Sequence, residues 1–550
     1  MKRFVGRPTL LLFVAAAAVI AALVGRAGAG PVSASNPGPA GAVRASVQTG
    51  HIGPGTHVKV QVSSHPFKPT AAQKAARQAA MAGLAKHVAP SMGRHTTTAN
   101  VPKVGDPGPP TDVGGKQAAT DLTVMKQSLI NSICAGCGQS AVNEPDVAND
   151  GKYIVETSNW NIAWSKTGAN GATPWLNQNP YALSSGFCCD QQIAYDPGRN
   201  IFLLLQLDYA GEGAATNGFT LSIASGTTPT SWCTYKFPGA IGGGATDTPD
   251  YPKIGLANNN AYVTWNDYPP NAGWARTGLA RFPLDALASC AGFNYNFLTR
   301  NDDFTFALSQ TPSSLDQFYW VSNWYTDGSH TNGSNLRIFW WPENSGSYFA
   351  ADRAINPYTF GTVACGSPDW CSRLDPRWET VTISRAEFRA QANAAFSGDA
   401  FLEVTTDAGP SGFSGGKNYV VYNYFKLNSL AYIGNDQTYS TGTNFAYPAC
   451  GANSDGHIGC AMLTGTNAPG GLILLQDDVS PTQPWAYSFT PGAVSGQSAG
   501  GDYVSVDAFN PAVGPFETVL WRTNGSTVEP FYTVFGRGRD LAGYKRWAKK

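Results

Sequence analysis

Cleaving a glycosidic bond takes two carboxyl groups, one to protonate the leaving oxygen and one to act as nucleophile or base. In this 550-residue chain only 13% of residues are charged. Four acids stand in settings that suit such work: Asp190 in Phe187-Cys188-Cys189-Asp190, Asp250 in Asp250-Tyr251-Pro252-Lys253-Ile254, Glu379 in Asp375-Pro376-Arg377-Trp378-Glu379, and Asp502 in Gly501-Asp502-Tyr503-Val504. Tyr251, Arg377 and Tyr503 are the candidate substrate-binding groups beside them. The competing use of these acids is structural: they accept backbone amides at strand starts, or hold a calcium ion. No metal ligands are assigned.

Other chemistries find less support. Five of the seven histidines (51, 57, 65, 87 and 95) precede residue 119, leaving His330 and His457 for the body. That excludes a His-rich zinc site and leaves a Ser-His-Asp engine at most two bases. Gly412-Phe413-Ser414-Gly415-Gly416 matches a nucleophile elbow, with Asp455 and His457 downstream. An elbow must lead into a helix, whereas Lys417-Asn418-Tyr419-Val420-Val421 reads as a strand, so a Gly/Ser turn is expected. Cys134-Ala135-Gly136-Cys137 has no βαβ context and no second pair, which favours a structural disulfide. Cys188-Cys189-Asp190 resembles a stretch of quinoprotein alcohol dehydrogenases, in which an adjacent-cysteine disulfide lies against the quinone. The tryptophan-docking repeat of those enzymes is absent, and two ordinary disulfides to neighbouring loops are the expected arrangement.

The elements that carry these acids are short β runs closed by turn clusters. Phe187–Tyr209 is the clearest, two apolar runs around Asp196-Pro197-Gly198-Arg199-Asn200. Apolar runs end on an amide beside an aromatic or acidic residue at Asn159, Gln206, Asn266, Asn323, Asn423, Gln476 and Asn524, at intervals of 47, 60, 57, 100, 53 and 48 residues. A beat of that length in an all-β sequence indicates a β-propeller of four-stranded antiparallel sheets, with seven blades expected and six as the alternative count. A pair of β-sandwiches would show no such beat. If the acids open the innermost strands, as Glu144-Pro145-Asp146 also would, their carboxylates gather at one mouth of the central channel.

The remaining sequence sets the context. Residues 1–30 read as a signal peptide, with Lys2, Arg3 and Arg7, an apolar run from Thr9 to Val24, and Ala27-Gly28-Ala29 as cleavage site. Residues 31–119 read as a low-complexity linker or pro-segment with one weak helix over Thr70–Val88, residues 120–538 as the propeller, and 539–550 as a basic tail. Ten cysteines fit disulfides in an oxidising compartment, with Cys365/Cys371 and Cys450/Cys460 suited to short loops. The formal charge of zero divides into +10 over residues 1–115 (12 Lys/Arg, 2 Asp/Glu) and −10 over the rest (25 and 35). An acidic body argues against nucleic acid.

Phe187-Cys188-Cys189-Asp190, Asp250-Tyr251-Pro252-Lys253-Ile254-Gly255 and Asp502-Tyr503-Val504-Ser505-Val506-Asp507 with Phe535-Gly536-Arg537 resemble segments of secreted bacterial propeller proteins of the sialidase-like superfamily, over roughly residues 140–538. The resemblance implies architecture and little chemistry, since proteins of this look are mostly without assigned activity. The sialidase Asp box is degenerate here (Ser165-Lys166-Thr167-Gly168, then Trp175), and Arg281-Phe282-Pro283-Leu284 does not match Phe-Arg-Ile-Pro. The expectation is a secreted, monomeric propeller that engages an extracellular glycan, with hydrolysis by mouth carboxylates. The alternatives are a non-catalytic binding or scaffolding propeller and, less favoured, a quinone-dependent oxidoreductase.

Overall fold

Among the described residues, seven antiparallel meanders follow one another along the chain, and their first strands touch in succession. The computed structural model describes residues 41–87, 89–90, 111–112, 122–130, 144–165, 175–225, 230–310, 316–324, 333–367, 369–377, 380–384, 394–396, 400–481, 485–490, 501, 504–509, 514–524 and 527–547. Meander I runs Asp146–Asn149, Ile154–Ser158, Asn161–Ser165, Leu176–Gln178; II runs Phe187–Asp196, Ile201–Asp208, Gly218–Ser225, Ser231–Pro238; III runs Thr248–Leu256, Asn260–Tyr268, Arg276–Pro283, Phe293–Arg300. IV runs Ala307–Gln310, Gln317–Ser322, Asn335–Pro342, Ser347–Ala354; V runs Thr380–Ser384, Phe401–Ala408, Tyr419–Lys426, Tyr432–Tyr439; VI runs Asn444–Ala452, Ile458–Gly465, Pro469–Gln476, Ala486–Phe489. VII runs Ser505–Ala508, Phe516–Asn524, Thr527–Arg537, and takes its outer strand, Leu122–Leu129, from the beginning of the body. Each first strand contacts the next meander's first strand, and that of VII contacts that of I, so the seven close a cycle. Between IV and V the contact becomes a short parallel pairing, Ser309 opposite Val381.

Burial explains the sequence texture. Every residue of the second strands Ile201–Asp208 and Asn260–Tyr268 is buried, so neither shows a strict apolar/polar alternation, and Ile201–Leu205 reads as a continuous apolar run. Aromatic rings fill the wedges between meanders: Phe237 stacks on Phe282 across II and III at 4.9 Å, and Tyr262 on Phe318 across III and IV at 3.8 Å. The hairpin after Asp196 is fixed by the Asp196 carboxylate accepting the Gly198 N–H at 2.9 Å and by Asn200 in the left-handed region (φ 55°).

The amide beat falls on second-strand ends in I to IV and in VII. In V and VI, Asn423 and Gln476 lie on third strands instead. The second strands there end Thr406-Asp407-Ala408 and Leu463-Thr464-Gly465, with no amide. The interval from Asn323 to Asn423 is long chiefly because residues 355–379 and 385–400 are inserted on either side of the first strand of V.

Residues 41–63, which the sequence reading gave no strands, form four. Val43–Ser46, Gln48–Ile52, Thr56–Lys59 and Val62–Ser63 pair antiparallel with the outer strands of IV, III, II and I in that order. This arm covers four sheet edges that would otherwise present unpaired backbone. Helix α1 (Ala71–Leu84) follows, opened by a Thr70/Gln73 capping box.

Four disulfides lie among the described residues: Cys188–Cys189, Cys233–Cys290, Cys365–Cys371 and Cys450–Cys460. The adjacent cysteines bond to each other rather than to neighbouring loops, which corrects the expected arrangement. Cys134 and Cys137 lie outside the described residues, as does the apolar N-terminal run. Among the described residues no helix is long and apolar enough to cross a membrane.

Candidate functional site

Three first strands bulge near their starts, the end of the ring at which second strands finish. Register shifts fall between Cys189 and Gln191 in II, Asp250 and Lys253 in III, and Ala446 and Ala449 in VI. Each bulge holds a non-glycine residue in the left-handed region: Asp190 (φ 43°), Tyr251 (φ 56°) and Tyr447 (φ 57°). Such conformations cost about 1–3 kcal/mol each and persist where the surrounding structure imposes them. A bulge re-aims the side chains beside it, here at the mouth.

The recurrent amides hold this rim in place. Asn159 Oδ1 accepts the Asp190 N–H at 2.7 Å while its Nδ2 donates to Glu144 at 2.5 Å. Asn266 Nδ2 donates to Thr305 Oγ1 at 2.8 Å, and Asn323 Nδ2 to the Pro376 carbonyl at 2.5 Å. Most of these bonds run to chain entering the next first strand, which accounts for the beat.

The Asp250 carboxylate faces the arm. His87, three residues beyond α1, brings Nδ1 to 2.8 Å from Asp250 Oδ2, and Nε2 lies 4.0 Å from Glu212 Oε2. Its ring stacks on Tyr268 (centroids 4.4 Å, planes 4° apart) and meets Tyr209 edge-on. Asp250 Oδ1 accepts the Tyr251 N–H at 2.9 Å. Burial, with help from Glu212, pushes the Tyr209 hydroxyl up to about 12. Burial also raises Tyr268, with Asp250 adding to the shift and Arg377 opposing it.

Arg377 stands on the adjacent side. It grips Asp375 with Nε (2.8 Å to Oδ1) and Nη2 (2.5 Å to Oδ2), and donates from Nη1 to the Pro90 carbonyl at 2.6 Å. The guanidinium lies over the Phe304 ring at 4.5 Å and 6.0 Å from that of Trp324. Asp407, at the end of the second strand of V, lines the channel; Oδ2 accepts the Tyr447 N–H at 3.2 Å and Oδ1 is buried without a hydrogen bond. Burial, reinforced by the charge of Asp375, holds its carboxyl well above the usual range.

Below the mouth is a cavity of about 170 Å³, lined by all seven first strands. Asp146 lies on its wall with both oxygens on backbone amides, those of Val147 and Ile193 at 2.9 Å. Burial still lifts it to about 6. Asp507 also lines this cavity, and burial together with Asp146 and Glu517 pushes its carboxyl well up. The amide-binding use foreseen for strand-start acids is realised at Asp146.

Of the residues singled out from sequence, Asp250 and Arg377 stand at the mouth, Tyr251 lines the cavity under the Lys253 ammonium (4.6 Å), and Asp190 sits on the rim of II. Glu379, Asp502 and Tyr503 lie outside the described residues, as do His330 and His95. Sequence reasoning missed Asp375, Asp407 and His87. Asp375 opens the same charged cluster as Arg377, which was a usable signal; Asp407 and His87 gave none. Ser414 is buried in its turn, hydrogen-bonded to Ser411 and Lys417, as a Gly/Ser turn requires. The Cys188–Cys189 disulfide is buried in one apolar cluster with Ala80, Met81 and Leu84 of α1.

No protein-family model and no curated protein matches the sequence. Solved structures with a similar course of chain include an arabinofuranosidase, Arb93A, from Fusarium graminearum (10% identity, covering 74% of this chain and 100% of that one, TM-score 0.40). An α-L-arabinanase from Penicillium chrysogenum compares at 10% identity, 75% and 98% coverage and TM-score 0.39. A puromycin hydrolase compares at 13% identity, covering 69% of this chain, with TM-score 0.37; the present chain spans 50% of its length. At this level of likeness no residue correspondence follows.

Proposed function

We propose that the chain is a secreted, disulfide-stabilised, seven-bladed propeller that engages an extracellular glycan at its mouth and hydrolyses it with mouth carboxyl groups. The observation that carries this reading is that carboxyl groups in unlike settings stand at one rim. Asp407 is buried and pushed toward its protonated form, whereas Asp250 is hydrogen-bonded to an imidazole. Glycoside cleavage uses an acid and a nucleophile or base of this kind. Asp407 is assigned the acid and Asp250 the nucleophile or base. Arg377 and Tyr251 orient the sugar, and Tyr268 offers a ring face for stacking once His87 leaves it. Asp190 belongs to the same rim in this reading, and Glu379, Asp502 and Tyr503, which lie outside the described residues, stay candidates on their sequence settings alone. The four disulfides support an oxidising compartment.

A non-catalytic binding propeller is the second reading. It is favoured by the arm, whose His87 and Pro90 occupy the mouth. Screening the secreted protein on a glycan array, then assaying Asp250→Asn and Asp407→Asn on any glycan retained, separates the two. Hydrolysis lost by both variants with glycan binding retained by Asp407→Asn supports an enzyme. Binding without turnover in wild type supports the second reading, and no glycan bound at all defeats both.

A further inference from the structure

The arm does not merely lie over the mouth; one side chain of it is specifically received there. The His87 side chain is only 4% exposed. It enters a box whose walls are Asp250 from the first strand of III, Tyr268 from the second, and Tyr209 and Glu212 from the segment after the second strand of II. The box stands without His87: Glu212 Oε1 accepts the Asn271 N–H at 2.7 Å and Oε2 the Tyr209 hydroxyl at 3.3 Å, while Asp250 is tied to the Tyr251 amide. Two carboxylates, one aromatic face and one ring at right angles to it around a flat nitrogen base form a receptor for a cation. The fit on the Glu212 side is incomplete, because Nε2 is buried and makes no hydrogen bond.

Charge points the same way. Residues 41–90 hold six Lys/Arg and no Asp/Glu, while residues 116–550 carry −10. The arm is thus a basic segment held on an acidic body. Among the described residues its grip near the mouth includes His87, the Pro90 carbonyl on Arg377, Arg77 over the Trp160 ring at 4.1 Å, Phe67 and the small apolar face of α1.

We propose that this box is the subsite for the ammonium group of an amino-sugar polymer, and that His87 occupies it as an internal stand-in which the polymer displaces. The proposal rests on the glycan reading and names its substrate class. An amino sugar combines the required parts: a ring face for Tyr268, and an ammonium that reaches both Asp250 and Glu212. The neutral N-acetylated sugar lacks the charge and would leave two half-buried carboxylates without a cationic partner.

The test uses the full chain, with a glucosamine tetrasaccharide and its fully N-acetylated counterpart as probes in calorimetric titration. Folding of each variant is checked by circular dichroism. His87→Ala is expected to bind the glucosamine probe about tenfold or more tighter than wild type, to leave the acetylated probe unbound, and to lose the gain when Asp250→Asn is added. On wild-type protein, the glucosamine probe is expected to speed amide hydrogen exchange over residues 71–90, which keeps the test intact should His87→Ala fail to fold. Equal binding of both probes, no gain in a folded His87→Ala, unchanged exchange, or preference for an arginine-rich peptide overturns the proposal. A mouth that binds neutral glycans and is indifferent to His87→Ala sinks this inference and leaves the glycan reading standing.

Discussion

Glu156 on the second strand of I is fully buried, Oε2 accepts from Asn161 at 3.2 Å, and Oε1 has no hydrogen bond. Burial pushes its carboxyl up to about 8. Glu517, whose oxygens take Asn149 and Tyr532, is likewise raised to about 8. A carboxyl whose folded pKa exceeds its unfolded value of about 4.3 binds more protons in the native state. Its stabilising effect is complete below the unfolded value and is lost as pH climbs through about 8. Global stability is therefore expected to fall between pH 5 and roughly pH 9, and Glu156→Gln to flatten that slope and add a few kcal/mol at its alkaline end. Urea unfolding at pH 5 and pH 9 checks this, and a slope unchanged by the substitution refutes it. At this scale the sequence is partly legible. Asp250 and Arg377 could be singled out because charge is scarce and each sits in a distinctive local string. Asp407 could not: it ends a strand like many others, and its raised carboxyl comes from burial, with Asp375, 32 residues away, adding to it.

Among the elements, the arm departs most from what its residues announce. Val43-Arg44-Ala45-Ser46 has neither alternation nor bulk and forms a strand only because the outer edge of IV supplies its partners. Such short edge strands depend on tertiary context, and composition alone reads them as linker. Helix α1 is different, since its capping box is visible as Thr70-Ala71-Ala72-Gln73. Thr70→Ala is expected to cost about 1 kcal/mol of local helix stability. It is also expected to speed hydrogen exchange over 71–84 while leaving exchange in the second strand of II unchanged. Equal acceleration in both would mean that the arm and the ring open as one unit. Conversely, the two strands and the turn of the hairpin of II were readable because the turn chemistry and the apolar runs are local, whereas its bulge and its Cys188–Cys189 bond were not.

For the molecule as a whole, the repeat length gave away the ring, whereas the closure did not announce itself. Leu122–Leu129 pairs with Thr527–Arg537, so sequence-distant strands complete meander VII and the first and last parts of the body share one sheet. Replacing Cys233 and Cys290 by Ala, which opens a covalent link between II and III spanning 57 residues, is expected to lower stability by about 2–4 kcal/mol. The fold should survive, because the same two meanders remain joined by the Phe237 and Phe282 rings; guanidinium unfolding measures the loss. The account turns on the mouth being the place where this ring meets its ligand. Calorimetric titration of a glycan selected on the array against wild type, Asp250→Asn and Asp285→Asn measures this most directly. Asp285 is a surface acid, its side chain 86% exposed, just past the finishing end of the third strand of III and so across the ring from the mouth. The expected result is binding abolished by Asp250→Asn and untouched by Asp285→Asn. Equal binding by all three proteins would contradict the account.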